Sequence, residues 1–434
     1  MGYCSIYEKA ERGLIMNQVT LKFLRFHCLD RHHCSVQYHQ LVDGIIGRFE
    51  KAHPHIKIES VIMRNWYQLM YTLNKKLPTE EGPDVFHTCG GGELEDLVEK
   101  GLVHDLSAWL DHGWRKNFIA ATFEPLKFHG REYALPLEQG YIFVWYNKRI
   151  FEKHGLSIPT TFDELLVLCR ELRRHGIIPF TVGNRERWPG AFFFSHLFHR
   201  IGGEEVFVSD FTQASNYAEI RESFIEAGEK LVELVAAGAF HEDCEYTNYQ
   251  QQRDLFAREE TAMQLNGNRL LSYLMIEGPG MLDHIGVFPF PLVKEGKGKA
   301  TTVFGGSLAT YGISAKSPNK EAALALLRYL TDEHAARDVI FGMGDIPAMK
   351  YVPSTEYPSP LHGRLAENLG KAEKIQVHFF KYLAPHPAGV YLNTVAKLFT
   401  RDVSPQGAFR TVQEALSKAP DNPINDERGY PDEI

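Results

Sequence analysis

The sequence predicts an α/β fold in two lobes, and three observations predict it. The chain is 434 residues long and 44% hydrophobic, enough for two lobes that each bury a core of ordinary size. Its first hundred residues alternate strand and helix signals, the pattern of a parallel sheet covered by helices. A second run of such signals begins near Tyr133.

Taken in order, VTLKFLRF at 19–26 is β-rich and apolar, suited to a buried first strand. Tyr38, Leu41, Val42, Ile45, Ile46 and Phe49 then recur on one helix face, and His53-Pro54 ends that helix. Ile56, Ile58 and Ile62 alternate with polar residues as a second strand. A helix over 66–77, a short strand over 84–87 and a helix over 93–100 follow. In the second unit 141–146 is an aromatic strand. Thr161 and Glu164 form a capping-box pattern ahead of the stripe Phe162, Leu165, Leu166, Cys169 and Leu172, and Gly176 stands where a C-terminal cap belongs. A strand over 177–182 and a long amphipathic helix over 217–237 come next, then a polar helix end at 256–268 that feeds a strand and a turn. Residues 286–291 form a proline-punctuated strand and 308–314 a strand preceded by Gly305-Gly306. Ala322, Ala323, Leu326, Leu327 and Leu330 line one face of a further helix, and the remaining C-terminal third is helical.

Composition narrows the function. The net charge of -8 is spread along the whole length, without the basic stripe that nucleic acid demands, so no nucleic-acid partner is expected. No stretch reaches the roughly 20 apolar residues of a membrane-spanning helix. The first residues lack the apolar core of a secretion signal. Residues 1–16 read as an extension of unclear role, with Met16 as an alternative start. Two readings stay open: an export segment absent from this sequence, or a protein that works inside the cell. The six cysteines form no CxxC pair and no dense disulfide framework.

Four segments carry a resemblance. They are FEKAHPHIKIE at 49–59; YALPLEQGYIFVWYNK at 133–148 with Phe151 and PTTFDE at 159–164; FAREETAMQLNGN at 256–268; and Gly305-Gly306 through Asn319-Lys320-Glu321. Each is weak alone, but together and in this order the chain resembles the family-1 extracellular solute-binding proteins of ATP-driven importers, the group that includes maltose- and multi-sugar-binding proteins. The resemblance implies a periplasmic-binding-protein-like (type II) fold, with a hinge and an inter-lobe cleft. It implies an N-terminal lobe of 17–135 plus 262–313 and a C-terminal lobe of 136–261 plus 314–434, with crossings near 135–137, 258–262 and 313–316. It further implies a monomer that binds a carbohydrate, an oligosaccharide by expectation, and delivers it to the membrane permease subunits of an ABC importer, outside the cytoplasmic membrane. No catalysis, cofactor or metal is expected. A cytoplasmic sugar sensor on the same two lobes is the alternative.

A hydroxyl-rich guest needs carboxylates, amides and backbone groups for hydrogen bonds, and flat apolar walls. Glu138, directly after the Leu-Pro-Leu crossing, is the candidate acceptor, against the plain alternative of a solvated glutamate. Tyr141 lies three residues on and is equally readable as core. Trp188, in a polar loop, is the candidate stacking platform. Asn266 and Asn268 offer amides, and the resemblance places Trp in many relatives where Asn268 stands. Gly305 and Gly306, and the pair Cys89-Gly90, offer close backbone approach, with simple turn-making as the alternative. Tyr391 offers a second aromatic wall, with helical core as the plainer reading. The loop at 27–34 holds three His, two Cys and Asp30 in no standard zinc spacing, so His27 is taken as a sugar contact rather than a metal ligand.

An enzyme reading finds no nucleophile elbow, P-loop, His-Glu-x-x-His or dinucleotide-binding glycine run. Glu138 with Asp84 or Asp163 imitates a glycosidase pair, but nothing in the sequence sets their separation.

Overall fold

Alternation of apolar and polar side chains in VTLKFLRF buries Leu21 and Phe23 on one face, and this strand, β1 (Val19–Phe26), begins the sheet. In a computed structural model of the chain, which describes residues 18–26, 33–63, 66–88, 90–110, 112–208 and 210–418, ten further strands follow. They are β2 (Ile56–Met63), β3 (Val85–Thr88), a small hairpin of β4 (Lys127–Phe128) and β5 (Arg131–Glu132), β6 (Ala134–Asn147), β7 (Ile178–Thr181), β8 (Thr261–Gly267), β9 (Ile285–Phe288), β10 (Thr302–Ile313) and β11 (Lys374–Gln376). The expected mixed α/β architecture is present. One sheet path runs β2-β1-β3-β10-β6-β8-β7, with β11 beside β10 and β9 beside β6. Strands β1, β2 and β3 are parallel, in register from Val19↔Ile56 to Phe26↔Met63, as a strand–helix–strand chain requires.

Strands β6 and β10 are far longer than their neighbours because each pairs with different strands along its two halves. Residues Ala134 to Tyr141 of β6 pair with β10, whereas Ile142 to Asn147 pair with β8 and β9. Strand β10 starts beside β11 and ends antiparallel to β3.

Two cores flank this junction. The first packs β1 and the helix His33–Ala52 (Tyr38, Val42, Ile45 and Phe49) against the helix Lys320–Leu330 (Leu326, Leu327 and Leu330). The second gathers the helices Phe162–Arg174, Trp188–Gly202, Tyr217–Ala236, Pro385–Thr400 and Pro405–Ser417 around β7 and β8. The Thr161–Glu164 capping box is formed, its helix buries the stripe from Phe162 to Leu172, and Cys169 lies inside the core. A third cluster, including Tyr141, Phe143, Trp145, Tyr273, Ile346 and Leu361, seals the junction.

Core membership runs differently from the expected division. Strand β8 and residues Phe288 to Val293 pack in the second core, not with the N-terminal lobe, while residues from Ala323 to Met349 pack in the first. The reason is that β10 carries the chain back from Phe304 in the second core to Ile313 in the first, and the helix after it stays there. Residues 258–262 join a helix to β8 within one lobe rather than crossing between lobes.

Candidate functional site

The crossing strand β6 is buried almost throughout. Glycine is needed where β10 lies against it, since a Cβ on Gly305 would sit 2.0 Å from the Gly140 carbonyl oxygen. Gly305 therefore serves strand pairing. Gly306 is open by comparison, its nearest neighbour being Val377 Cγ1 at 3.6 Å from a built Cβ. Beyond β3, Gly90 and Gly91 hold φ of 73° and 67°, a left-handed conformation that favours glycine. The Gly91 N–H donates to the Pro125 carbonyl at 2.7 Å.

Glu138 lies at the centre of the junction. Its carboxylate is 0% exposed and accepts from Arg269 Nη2, so the residue following Asn266-Gly267-Asn268 covers the expected hydroxyl acceptor. Asp345, 1% exposed, presents Oδ2 to Arg269 Nε at 3.4 Å. Its Oδ1 accepts from the Ile346 N–H at 2.9 Å and from the Asn268 amide. Burial, and next the charge of Glu138, pushes the Asp345 carboxyl up to about 7. Burial alone would lower Arg269, yet Glu138 and Asp345 hold it firmly charged and raise it overall. The hydroxyls of Tyr38 and Tyr311 share a hydrogen bond in the first core and feel both Glu138 and Arg269.

Asn268 is fully engaged in holding this junction. Its Oδ1 accepts from the Tyr141 N–H at 2.7 Å, and its Nδ2 donates to the Gln139 carbonyl at 3.2 Å. Tyr141 is 0% exposed within the third cluster, and its hydroxyl has no partner among the described residues.

On the second-lobe side, Trp188 opens the helix Trp188–Gly202 after Arg187, which holds φ of 68° and is ion-paired to Glu245. The Trp188 ring is half-buried, 4.6 Å from the half-buried ring of Tyr249 and 5.1 Å from Phe192. The Tyr249 hydroxyl donates to Asn266 Oδ1 at 2.9 Å. The Asn266 carbonyl in turn accepts from Trp145 Nε1 at 2.9 Å. The Arg253 guanidinium lies 4.4 Å from the centre of the Tyr249 ring and 4.6 Å from that of Tyr273, within cation–π range.

Glu138, Tyr141, Asn266, Asn268 and Gly305 thus form one connected group, with Trp188 joined to it through Tyr249. Tyr391 is not brought to it: the side chain is buried between Phe194 and Phe379, in helical core. His27 and Cys89 lie outside the described residues, as do residues 1–16. Sequence reasoning missed Arg269, Asp345 and Tyr249. Signals for two of them were present: Arg269 directly follows Asn266-Gly267-Asn268, and Tyr249 follows Asn248, whose side chain caps the helix Tyr249–Ala257 with Gln251. Such an arrangement offers hydrogen bonds and ring faces. Among the described residues no group of three or more His, Cys, Asp or Glu is placed to hold a metal ion, and no helix is long and apolar enough to cross a membrane.

Residues 37–337 match the family described as bacterial extracellular solute-binding protein. The chain is similar to an ABC transporter extracellular-binding protein of Pyrococcus horikoshii, 24% identical over 341 residues, covering 76% of this chain and 73% of that one. It is also similar to a multiple sugar-binding protein of Streptococcus mutans, 26% identical over 299 residues, covering 67% and 68%. Among solved structures, a chitin oligosaccharide binding protein superposes with a TM-score of 0.78 at 20% identity, covering 93% of this chain and 99% of that one. At that identity the likeness speaks for the two-lobed fold alone.

Proposed function

The chain belongs to the bacterial extracellular solute-binding proteins, and on that premise we propose that it binds a carbohydrate, an oligosaccharide, in the crevice between its lobes and delivers it to the permease subunits of an ABC importer. It works outside the cytoplasmic membrane, as a monomer, and makes or breaks no bond in its ligand. The observation that carries this reading is the joining of half-buried ring faces, Trp188 and Tyr249, to a hydrogen-bonding group at the strands that cross between the lobes. Ring faces take the C–H faces of a sugar, while Arg269 and the backbone near Gly306 and Gly90 take its hydroxyls. Relatives named for sugar binding support the ligand class. An intracellular sensor has no support among them.

Because ligand binds only the folded protein, it raises stability by mass action, ~2.7 kcal/mol at a hundredfold excess over Kd. A thermal-shift screen should therefore reveal at least one neutral oligosaccharide that raises Tm. Trp188→Ala should weaken that ligand by about tenfold or more, on the order of 1–2 kcal/mol, with the free protein still folded. If amino acids or peptides raise Tm and no sugar does, the carbohydrate reading is lost.

A further inference from the structure

We propose that Arg269 is the ligand-facing donor of the junction, and that Glu138 and Asp345 behind it make the site one for neutral sugars and closed to sugar acids. The inference rests on the carbohydrate reading above and adds to it a rule of selection.

Exposure assigns the facing group. Of the three charged members, Glu138 is 0% and Asp345 1% exposed, whereas the Arg269 side chain keeps 25% of its surface. Arg269 follows the end of β8 in the second core and is felt by Tyr38 and Tyr311 of the first, so it lies between the two cores with part of its side chain exposed. Its donors divide accordingly. Nη2 serves Glu138 and Nε faces Asp345, which leaves Nη1 as the end of the fork that neither carboxylate uses. A ligand reaching this junction would meet the exposed part of Arg269, and the carboxylates lie behind it.

Charge then sets the selection. An arginine alone at a sugar site favours a carboxylate, which it clamps through two parallel hydrogen bonds. Here the fork is already turned toward two carboxylates, and above pH 7, where Asp345 is ionised, the count is two negative charges to one positive in a buried setting. A third carboxylate would add a like charge where little water screens it, which strongly suppresses binding. The other groups at the junction do not reverse the balance. Tyr38, Tyr311 and Asn268 are neutral, and burial, then the charges of Arg269 and Lys381, push His87 down to about 3, so it stays neutral. The further cation felt there, Arg25, is ion-paired to Asp43 at 2.8 Å. Neutral hydroxyls, which accept from Nη1 without adding charge, are what remains.

Calorimetry with a neutral panel (maltotriose, xylotriose, chitotriose, raffinose) and with trigalacturonate tests the rule on the full chain. At pH 8, wild type should bind at least one neutral sugar, with trigalacturonate about tenfold or more weaker. Asp345→Asn should narrow that gap, and Glu138→Gln with Asp345→Asn should reverse it. Arg269→Gln should weaken the neutral sugar by about tenfold in wild type and abolish the acid binding gained by the double variant. Melting curves establish that each variant folds, and Asp345→Asn, which keeps one ion pair intact, carries the test if the double variant does not. Wild type binding trigalacturonate as tightly as any neutral sugar would overturn the selection rule while leaving the carbohydrate reading standing. So would a folded Arg269→Gln variant of unchanged affinity. Binding of neither class by wild type would overturn both.

Discussion

Asp345 shows how one buried side chain sets a measurable property. Its carboxyl titrates near 7 in the folded protein and near ~3.9 when unfolded. Between those values the folded state holds a proton that the unfolded state has lost, so this residue's contribution to stability falls as pH rises and levels off above 7. Asp345→Asn keeps the oxygen that accepts from Ile346 and Asn268 but cannot ionise. The Tm of the variant relative to wild type should therefore climb by a few degrees between pH 5 and pH 8. A flat difference across that range would place the ionisation elsewhere. Trp188 is the other residue on which the reading turns, because its ring is half-buried at the start of its helix rather than sunk in the core.

At the scale of elements, the helix Trp188–Gly202 carries the opposite pH dependence. Its His199 and the neighbouring His378 are buried among Phe304, Phe192 and Phe380. Burial, then Arg200 for His199 and Lys381 for His378, pushes both imidazoles down to about 3. An imidazole of depressed pKa contributes stability that is full above its unfolded value of ~6.5 and is lost as pH falls toward 3. Acidification from pH 7 to 4 should cost on the order of 3 kcal/mol for each of these two residues. The near-ultraviolet circular dichroism of the second lobe, rich in these rings, should report the loss as a falling Tm. His378→Phe should blunt the effect, since a phenyl ring stacks on Phe192 without taking a proton. The crossing strands carry the complementary lesson: β6 and β10 are continuous through both halves and change pairing partners near Tyr141 and Gly305.

For the whole molecule, two cores are joined by shared strands, and the proposed function requires that a ligand close them on each other. A compact chain of this length has a radius of gyration of ~22 Å, and an open two-lobed one exceeds that. Small-angle scattering should show the radius falling toward this value on saturation with the sugar found by thermal shift. A bound protein of unchanged radius would end the hinge-closure account. The same expectation bears on delivery, because a permease can distinguish loaded from empty protein only if the two states differ in shape.

The sequence by itself determined the α/β class, the capped helix from Phe162, the buried stripes of the first lobe and the strand and turn that end at Asn268. Each follows from local periodicity or capping chemistry that acts within a few residues. The family resemblance added the two lobes and the neighbourhood of the site. Only the tertiary structure decided which residues share that neighbourhood. Glu138 reads as a free carboxylate in isolation, and it is the arrival of Arg269, 131 residues away, that covers it. Tyr391, for which helical core is the plainer reading, and Gly305 are both candidate contacts, and packing assigns one to core and the other to strand contact. Which lobe receives the helix Lys320–Leu330 was decided by the direction of β10, a pairing between distant segments that no local pattern encodes.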